Sequence, residues 1–523
     1  MSPGINRQKS MFWRKVPVPK SSVENAQASF ENTTQRSLKS QAFTTADSSK
    51  YPHEHALVSV QDNQKLRDYE VLTKAGFDKV ERLLQHLSHQ QHHHDFVDQA
   101  QRLALDELGV EWPDDLLKNA WKTGLDIKAL FGFGVFKQFE KLSRDFYQSC
   151  PLWDEDQQAL AQQAMMAAGF HAVGIAPCAD GRLAHAVSYV LRLPYNQVRR
   201  KAHAGAMFDI SESVRHWVFV EHDRFREGLP NPASESTRYL KIAVYHYSEK
   251  SPSHQGCAAH GSDEGKAAAV ALQRLLDFQQ AIENRFGCGS RVEPMLLGLN
   301  TDNDSLKVHL PNSDGELSLQ RYLKTETLFD QSLGWSAKQA RNFIKEAIDQ
   351  HCIAAGASQP QTSMRDLIAW LIEQNFSQIA YVRAYEKGSY ADLGHAERFI
   401  GLGNGFEEVQ LRNLSYYSYL DTLEEGACDV DVGLKIFGHL NIQHGLPAPV
   451  IIRCDYDGRV PGSKHRAVEK AQRIDQALHQ RYASLSDQGD LVSLCTLRDH
   501  QSPVPCEVVR MHLSPKWSEQ YEV

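Results

Sequence analysis

A chain of 523 residues, 41% hydrophobic and 23% charged, is long enough for roughly two to four domains and has the composition of an ordinary soluble protein. Its net charge of -8 hides a net of +5 in residues 1–50; the rest, at -13, offers no basic face for nucleic acid. No apolar run reaches the roughly 18 residues of a membrane span, MSPGINRQKSMFW lacks the apolar core of a secretory signal, and nine scattered cysteines predict free or metal-bound thiols in a reducing cytoplasm.

Residues 1–55 are rich in Ser, Thr, Asn and Gln and too poor in apolar residues to offset the entropy of ordering, so a disordered basic tail is predicted. Within it, Met11 to Pro19 (MFWRKVPVP) concentrates aromatic, basic and proline residues as a binding motif would. From 56 to 152 the pattern is helical. Leu66, Tyr69, Leu72, Phe77, Val80, Leu83 and Leu84 recur at helical spacing, and further helices are predicted over Phe96 to Leu108 and Trp121 to Phe146. The tract His92-His93-His94 lies in a polar break, where exposed histidines rather than metal ligands are expected.

From about 153 helices and strands alternate. A helix over Gln157 to Ala168 leads into a strand, Phe170 to Ala176, and the turn Cys178-Ala179-Asp180-Gly181-Arg182. A second strand, Leu240 to Tyr245, ends at His246. Cys257 follows a polar loop, then come a helix from Glu264 to Asn284 and strands at Met295 to Leu299 and Leu306 to Leu310. This order predicts an α/β fold with a mainly parallel sheet covered on both faces.

The pattern then repeats faintly. A helix over Met364 to Gln374 and a strand over Phe376 to Val382 echo the first copy, placing Ala384 or Tyr385 where Cys178 falls. APVIIRCDYDGRVPGSKHRAVEKAQRIDQALHQRY mirrors the stretch that begins YLKIAVYHYSEK. The predicted organisation is a disordered tail (1–55), a helical domain (56–152), a metal-bearing α/β domain (153–360) and a degenerate, metal-free repeat of it (361–523). Gly401 to Gly405 lacks the context of a dinucleotide loop, and Asp302-Asn303-Asp304 reads as a turn rather than a calcium loop.

Strand ends at the carboxyl edge of an α/β sheet are where chemistry collects. Two thiolates and an imidazole there, Cys178, Cys257 and His246, match the donors of a catalytic zinc whose fourth position stays open for water. The thiolates cancel the ion's charge, so its water is less acidic than at an all-histidine site. Asp180 is placed to orient that water and Arg182 to keep Asp180 ionised. His254 precedes Cys257 at a short spacing and is a rival ligand; as a fourth protein donor it would make the site a closed, structural one. The histidine that does not ligate is a candidate proton shuttle, and so is His260.

The pattern Cys-x-Asp-x-Arg, then a strand-end His and a Cys, resembles the β-class carbonic anhydrases. FHAVGIAPCADGRL, AGAMFDI, TRYLKIAVYHYS, SHQGCAAHGSDE and GHAERFIGLGNGFEEVQLRNLSYY are similar to the carboxysomal shell branch of that class, over nearly the whole chain from residue 60. The resemblance implies a β-carbonic-anhydrase-like fold in two pseudo-repeats and one Zn2+ per chain on Cys178, His246 and Cys257, with Asp180 and Arg182 catalytic. It further implies a homodimer that converts CO2 and bicarbonate inside a bacterial carboxysome, with the tail packed beside Rubisco or a shell or scaffold protein. Ordinary β-class enzymes use H-x-x-C. The longer spacing from His246 to Cys257 departs from that, and His246 is favoured over His254 because it directly follows the strand.

Overall fold

The computed structural model describes residues 55–523 apart from 119, 152–154, 195–197, 227–237, 288–290, 361, 391–392, 501–504, 516 and 522–523. The predicted tail lies outside the described residues, save His55. The chain is mixed α/β, with a helical region followed by two six-stranded sheets, and divides into two compact units. None of the described helices is long and apolar enough to cross a membrane.

One unit is built from Leu152–Gly394 with the described end of Phe43–Gln64. Its strands are β1 (Ala172–Pro177), β2 (Arg199–Arg200), β3 (Arg238–Tyr247), β4 (Arg291–Asn300), β5 (Leu306–Pro311) and β6 (Leu317–Lys324), in the order β2-β1-β3-β4-β5-β6. The first four run parallel; β5 and β6 are antiparallel to their neighbours. Every residue of β1 is buried, as expected of a strand covered on both faces. The helix Glu264–Phe286, started by Asp263 accepting from the Lys266 amide, packs Ala267, Ala271, Leu275 and Phe278 onto β3 and β4.

The expected strand over Phe376 to Val382 is instead part of one long helix, Thr362–Tyr385, packed into this first core. Leu367, Ile368, Leu371, Ile372, Phe376, Ile379 and Val382 are buried round much of its circumference. A helix buried on most sides has no polar face to give it a 3.6-residue period, so its apolar run is indistinguishable from a strand. Ala384 and Tyr385 therefore end a helix and are not counterparts of Cys178.

The other unit joins Lys65–Pro151 to His395–Val523. Its strands are β7 (Phe399–Gly403), β8 (Ser415–Ser418), β9 (Ala448–Tyr456), β10 (Leu491–Asp499), β11 (Glu507–Ser514) and β12 (Trp517–Gln520), in the order β12-β11-β10-β9-β7-β8. The helix Ile127–Ser149 lies on β9, β10 and β11. Gly132 permits the approach, because a Cβ there would sit 2.9 Å from the Val492 side chain. Phe139 and Phe77 close the core around Phe399, at 5.6 and 5.8 Å between ring centres.

Candidate metal centre

Cys178 extends β1 by one residue. Its amide donates to the Val244 carbonyl of β3 (3.1 Å), and it bridges in parallel to His203 on the other side. The carboxyl end of β1 is thus held from both flanks. His246 is the penultimate residue of β3, fully buried, and Cys257 arrives at the end of the loop that follows β3. Sulfur and ring nitrogen atoms of Cys178, His246 and Cys257 all lie within 4.8 Å of one another.

The donor chemistry fits a soft, divalent metal. Both ring nitrogens of His246 are buried without a hydrogen-bond partner; the nearest carboxylate oxygen, Asp180 Oδ2, is 3.6 Å from Nε2, too far for a hydrogen bond. A histidine so enclosed is costly unless something coordinates it. The two sulfurs stand 3.9 Å apart. Cys178 is pushed well above the usual thiol range by its hydrogen bond with Cys257 and by burial, whereas Cys257 is held lower by that same bond. Two thiolates this close, in so little water, need a cation between them to coexist.

Around these donors the polar groups are fixed. Arg182 grips Asp180 through Nε to Oδ1 (2.9 Å) and a terminal nitrogen to Oδ2 (2.7 Å), and its amide also donates to Oδ1. The other terminal nitrogen donates to the Gln255 carbonyl (2.6 Å), and the one on Oδ2 also reaches that of Gly256 (3.2 Å), tying Asp180 to the loop that ends in Cys257. The Gly205 amide donates to the Cys178 sulfur at 3.2 Å. Gly205 has φ +66°, and a Cβ there would collide with the His260 ring, so only glycine suits the position.

His254 is exposed, bonded to Ser253, and outside the cluster. His260 is buried with Nε2 on the Gly205 carbonyl (3.2 Å), and burial lowers its pKa. His92, His93 and His94 are exposed. Gly205 lies in the motif AGAMFDI, which the sequence offered without a role for it; the signal was a glycine between small residues shortly after β2. Asp302 and Asp304 have partners no motif reveals.

Among the described residues that follow β7, 404–413, none is Cys or His. The Asn404 amide donates to the Arg453 carbonyl (3.0 Å), as that of Cys178 does to Val244. Arg453, wholly buried, is chelated by both oxygens of Glu408 (2.7 and 2.6 Å) and by Asp455 (2.8 Å). Glu407 joins it at 3.1 Å; although burial opposes ionisation, Arg498 and Arg453 hold that carboxyl down to about 2.

Family models match almost the whole described chain: "Carboxysome Shell Carbonic Anhydrase, N-terminal" over residues 55–147, "catalytic domain" over 160–395 and "C-terminal" over 396–513. The chain is 54% identical to the "Carboxysome shell carbonic anhydrase" of Hydrogenovibrio crunogenus, over 96% of each sequence. It is 45% identical to that of Prochlorococcus marinus, over 89% of this chain and 91% of the relative, and 42% identical to that of Halothiobacillus neapolitanus, over 87% and 90%.

Proposed function

The chain belongs to the carboxysome shell carbonic anhydrase family and is a carbonic anhydrase, and from that premise we propose that zinc held by Cys178, His246 and Cys257 underlies its reversible hydration of CO2 in the carboxysome. The observation that carries this reading is the buried, unpartnered His246 ring beside two closely spaced sulfurs. When bound there, zinc would lower the pKa of a coordinated water, though less than at an all-histidine site, and so supply a hydroxide nucleophile.

The chain's own groups do the positioning. Asp180 stays ionised in the Arg182 fork and accepts a hydrogen bond from a hydroxyl presented beside His246. This favours a protonated oxygen over the bare carboxylate oxygen of bicarbonate, and so favours product release. Arg182 couples Asp180 to the Cys257 loop, so acceptor and ligand move as one piece. The Gly205 amide favours the thiolate form of Cys178. X-ray absorption on the zinc-loaded protein tests the reading: two sulfurs, one nitrogen and one exchangeable oxygen are expected. Four protein donors would contradict it and make the zinc structural.

The two sheets share one strand order and one pattern of parallel and antiparallel pairing, which supports a duplication with mainly parallel sheets, the second copy having lost its metal set. In that copy the Arg453 guanidinium is the cation among inward-facing acceptors. On the family's account we further propose a homodimer that supplies CO2 to Rubisco, with the basic tail (1–55) docking on Rubisco or on a shell or scaffold protein.

A further inference from the structure

We propose that the turn Thr301–Asp304, between β4 and β5, is the positioning element of the metal centre: Asp302 holds the loop that delivers Cys257, and Asp304 holds the segment that delivers Asp180 and Arg182. The inference rests on the reading of Cys178, His246 and Cys257 as a zinc site.

The turn grips the chain immediately after His246. The amide and hydroxyl of Thr301 both donate to the Tyr247 carbonyl, at 2.8 and 3.1 Å. Asp302, 2% exposed, accepts the Ser248 hydroxyl on Oδ1 (2.7 Å) and the amides of Glu249 and Lys250 on Oδ2 (2.8 Å each). Ser248 Oγ in turn accepts the Ser251 amide (2.9 Å), and the Ser251 carbonyl accepts that of Gln255 (2.8 Å). Hydrogen bonds thus lead from Asp302 to Gln255, and the chain then runs directly through Gly256 to Cys257; the carbonyls of Gln255 and Gly256 hold Arg182. A carboxylate suits this place because it accepts from all three groups at once, two of them backbone amides that can only donate. An asparagine loses the charge, and it keeps both amides only by turning its NH2 onto the Ser248 oxygen, whose hydroxyl must then stop donating to it.

Two residues on, Asp304 is fully buried at φ +57°. Its Oδ2 takes His185 Nε2 at 2.6 Å and Gln378 Nε2 at 2.8 Å, and its carbonyl takes Asn375 Nδ2 at 2.9 Å. His185 closely follows the single helical turn Gly181–Leu183, which starts on the Asp180 side chain. A tether on His185 therefore fixes where Asp180 and Arg182 stand. Asn303, between the two carboxylates, faces elsewhere: it bonds Ser305 and Glu326.

Groups that hold ligands and their neighbours typically contribute 10–100-fold to metal affinity or activity. The test uses the full-length, zinc-loaded chain and two readouts, zinc release to a chelator and stopped-flow turnover per bound zinc. Asp302→Asn is expected to release zinc about tenfold or more faster. His185→Ala is expected to release zinc at the wild-type rate with turnover per zinc about tenfold lower, and His185→Gln, which restores a donor to Asp304, to recover most of it. Asn303→Ala matches wild type in both. Should Asp302→Asn not fold, Ser248→Ala, which removes one donor, speeds release in its place. Wild-type zinc release in Asp302→Asn and Ser248→Ala overturns the inference, as does an Asn303→Ala variant that reproduces their change, since the turn would then be merely structural. A wild-type chain that takes up no zinc overturns the underlying zinc reading instead.

Discussion

Asp180→Asn keeps the size of the side chain and removes its charge, while Cys178→Ser removes a metal donor, so the two substitutions separate orientation from ligation. Asp180→Asn is expected to hold zinc at wild-type stoichiometry and lose about 10²-fold or more in turnover. Cys178→Ser is expected to lose zinc and activity together. Zinc content beside CO2 hydration checks both, and parallel zinc loss in Asp180→Asn would contradict its role as an acceptor only. These residues were legible in the sequence because their chemistry is rare. A lone buried cysteine is more often a small hydrophobe, but a thiol and an imidazole at two predicted strand ends with a second thiol in the following loop is a rare set, and the alternate spacing of Cys178, Asp180 and Arg182 puts all three in one turn. Their supports were not legible. Asp302 read as a turn former, and its hold on Ser248, Glu249 and Lys250 depends on β4 lying beside β3. Arg453 and Glu408 carry no signal in the sequence, because only the fold buries them against each other.

At the scale of elements, the site depends on how closely the segment after β2 passes the end of β1. Gly205→Ala places an L-residue in the left-handed region, at a cost of roughly 1–2 kcal/mol, and presses a methyl group on the His260 ring. The Gly205 amide should then retreat from the Cys178 sulfur. Zinc should escape to a chelator faster than from wild type, with far-ultraviolet circular dichroism unchanged; unaltered zinc release would show that the amide contributes nothing to the thiolate. The strands β1 and β3 were readable as apolar runs that stop at polar, chemically distinctive residues. The helix Thr362–Tyr385 was not, because nearly complete burial erased the periodicity that separates a helix from a strand. β2, of two residues, carries too little pattern for any sequence argument.

At the scale of the whole molecule, the cores hold histidines that must remain neutral. His309 on β5 is buried between the Tyr245 hydroxyl (2.9 Å) and the Ser318 carbonyl (2.7 Å), and burial lowers its pKa from 6.5 to about 4. A folded-state pKa below the unfolded one means that the unfolded chain takes up the proton first. The contribution of His309 is therefore complete above pH 6.5 and is lost as the pH falls toward 4, on the order of 3 kcal/mol. Urea unfolding at a series of pH values should show stability falling over that window, less steeply in His309→Gln. Identical slopes would contradict the assignment. The alternation of helices and strands between Gln157 and Leu310 was open in outline to sequence reasoning because it follows from local pattern. The grouping of Lys65–Pro151 with His395–Val523 was not, since it rests on contacts such as Gly132 with Val492 that join distant parts of the chain.

The measurement that tests the central claim most directly is stopped-flow CO2 hydration by the purified full-length chain before chelation, after zinc removal under reducing conditions, and after one equivalent of zinc is restored. The account predicts fast hydration, its loss with the metal, and its return at one zinc per chain. Undiminished hydration by the zinc-free, folded protein would contradict it.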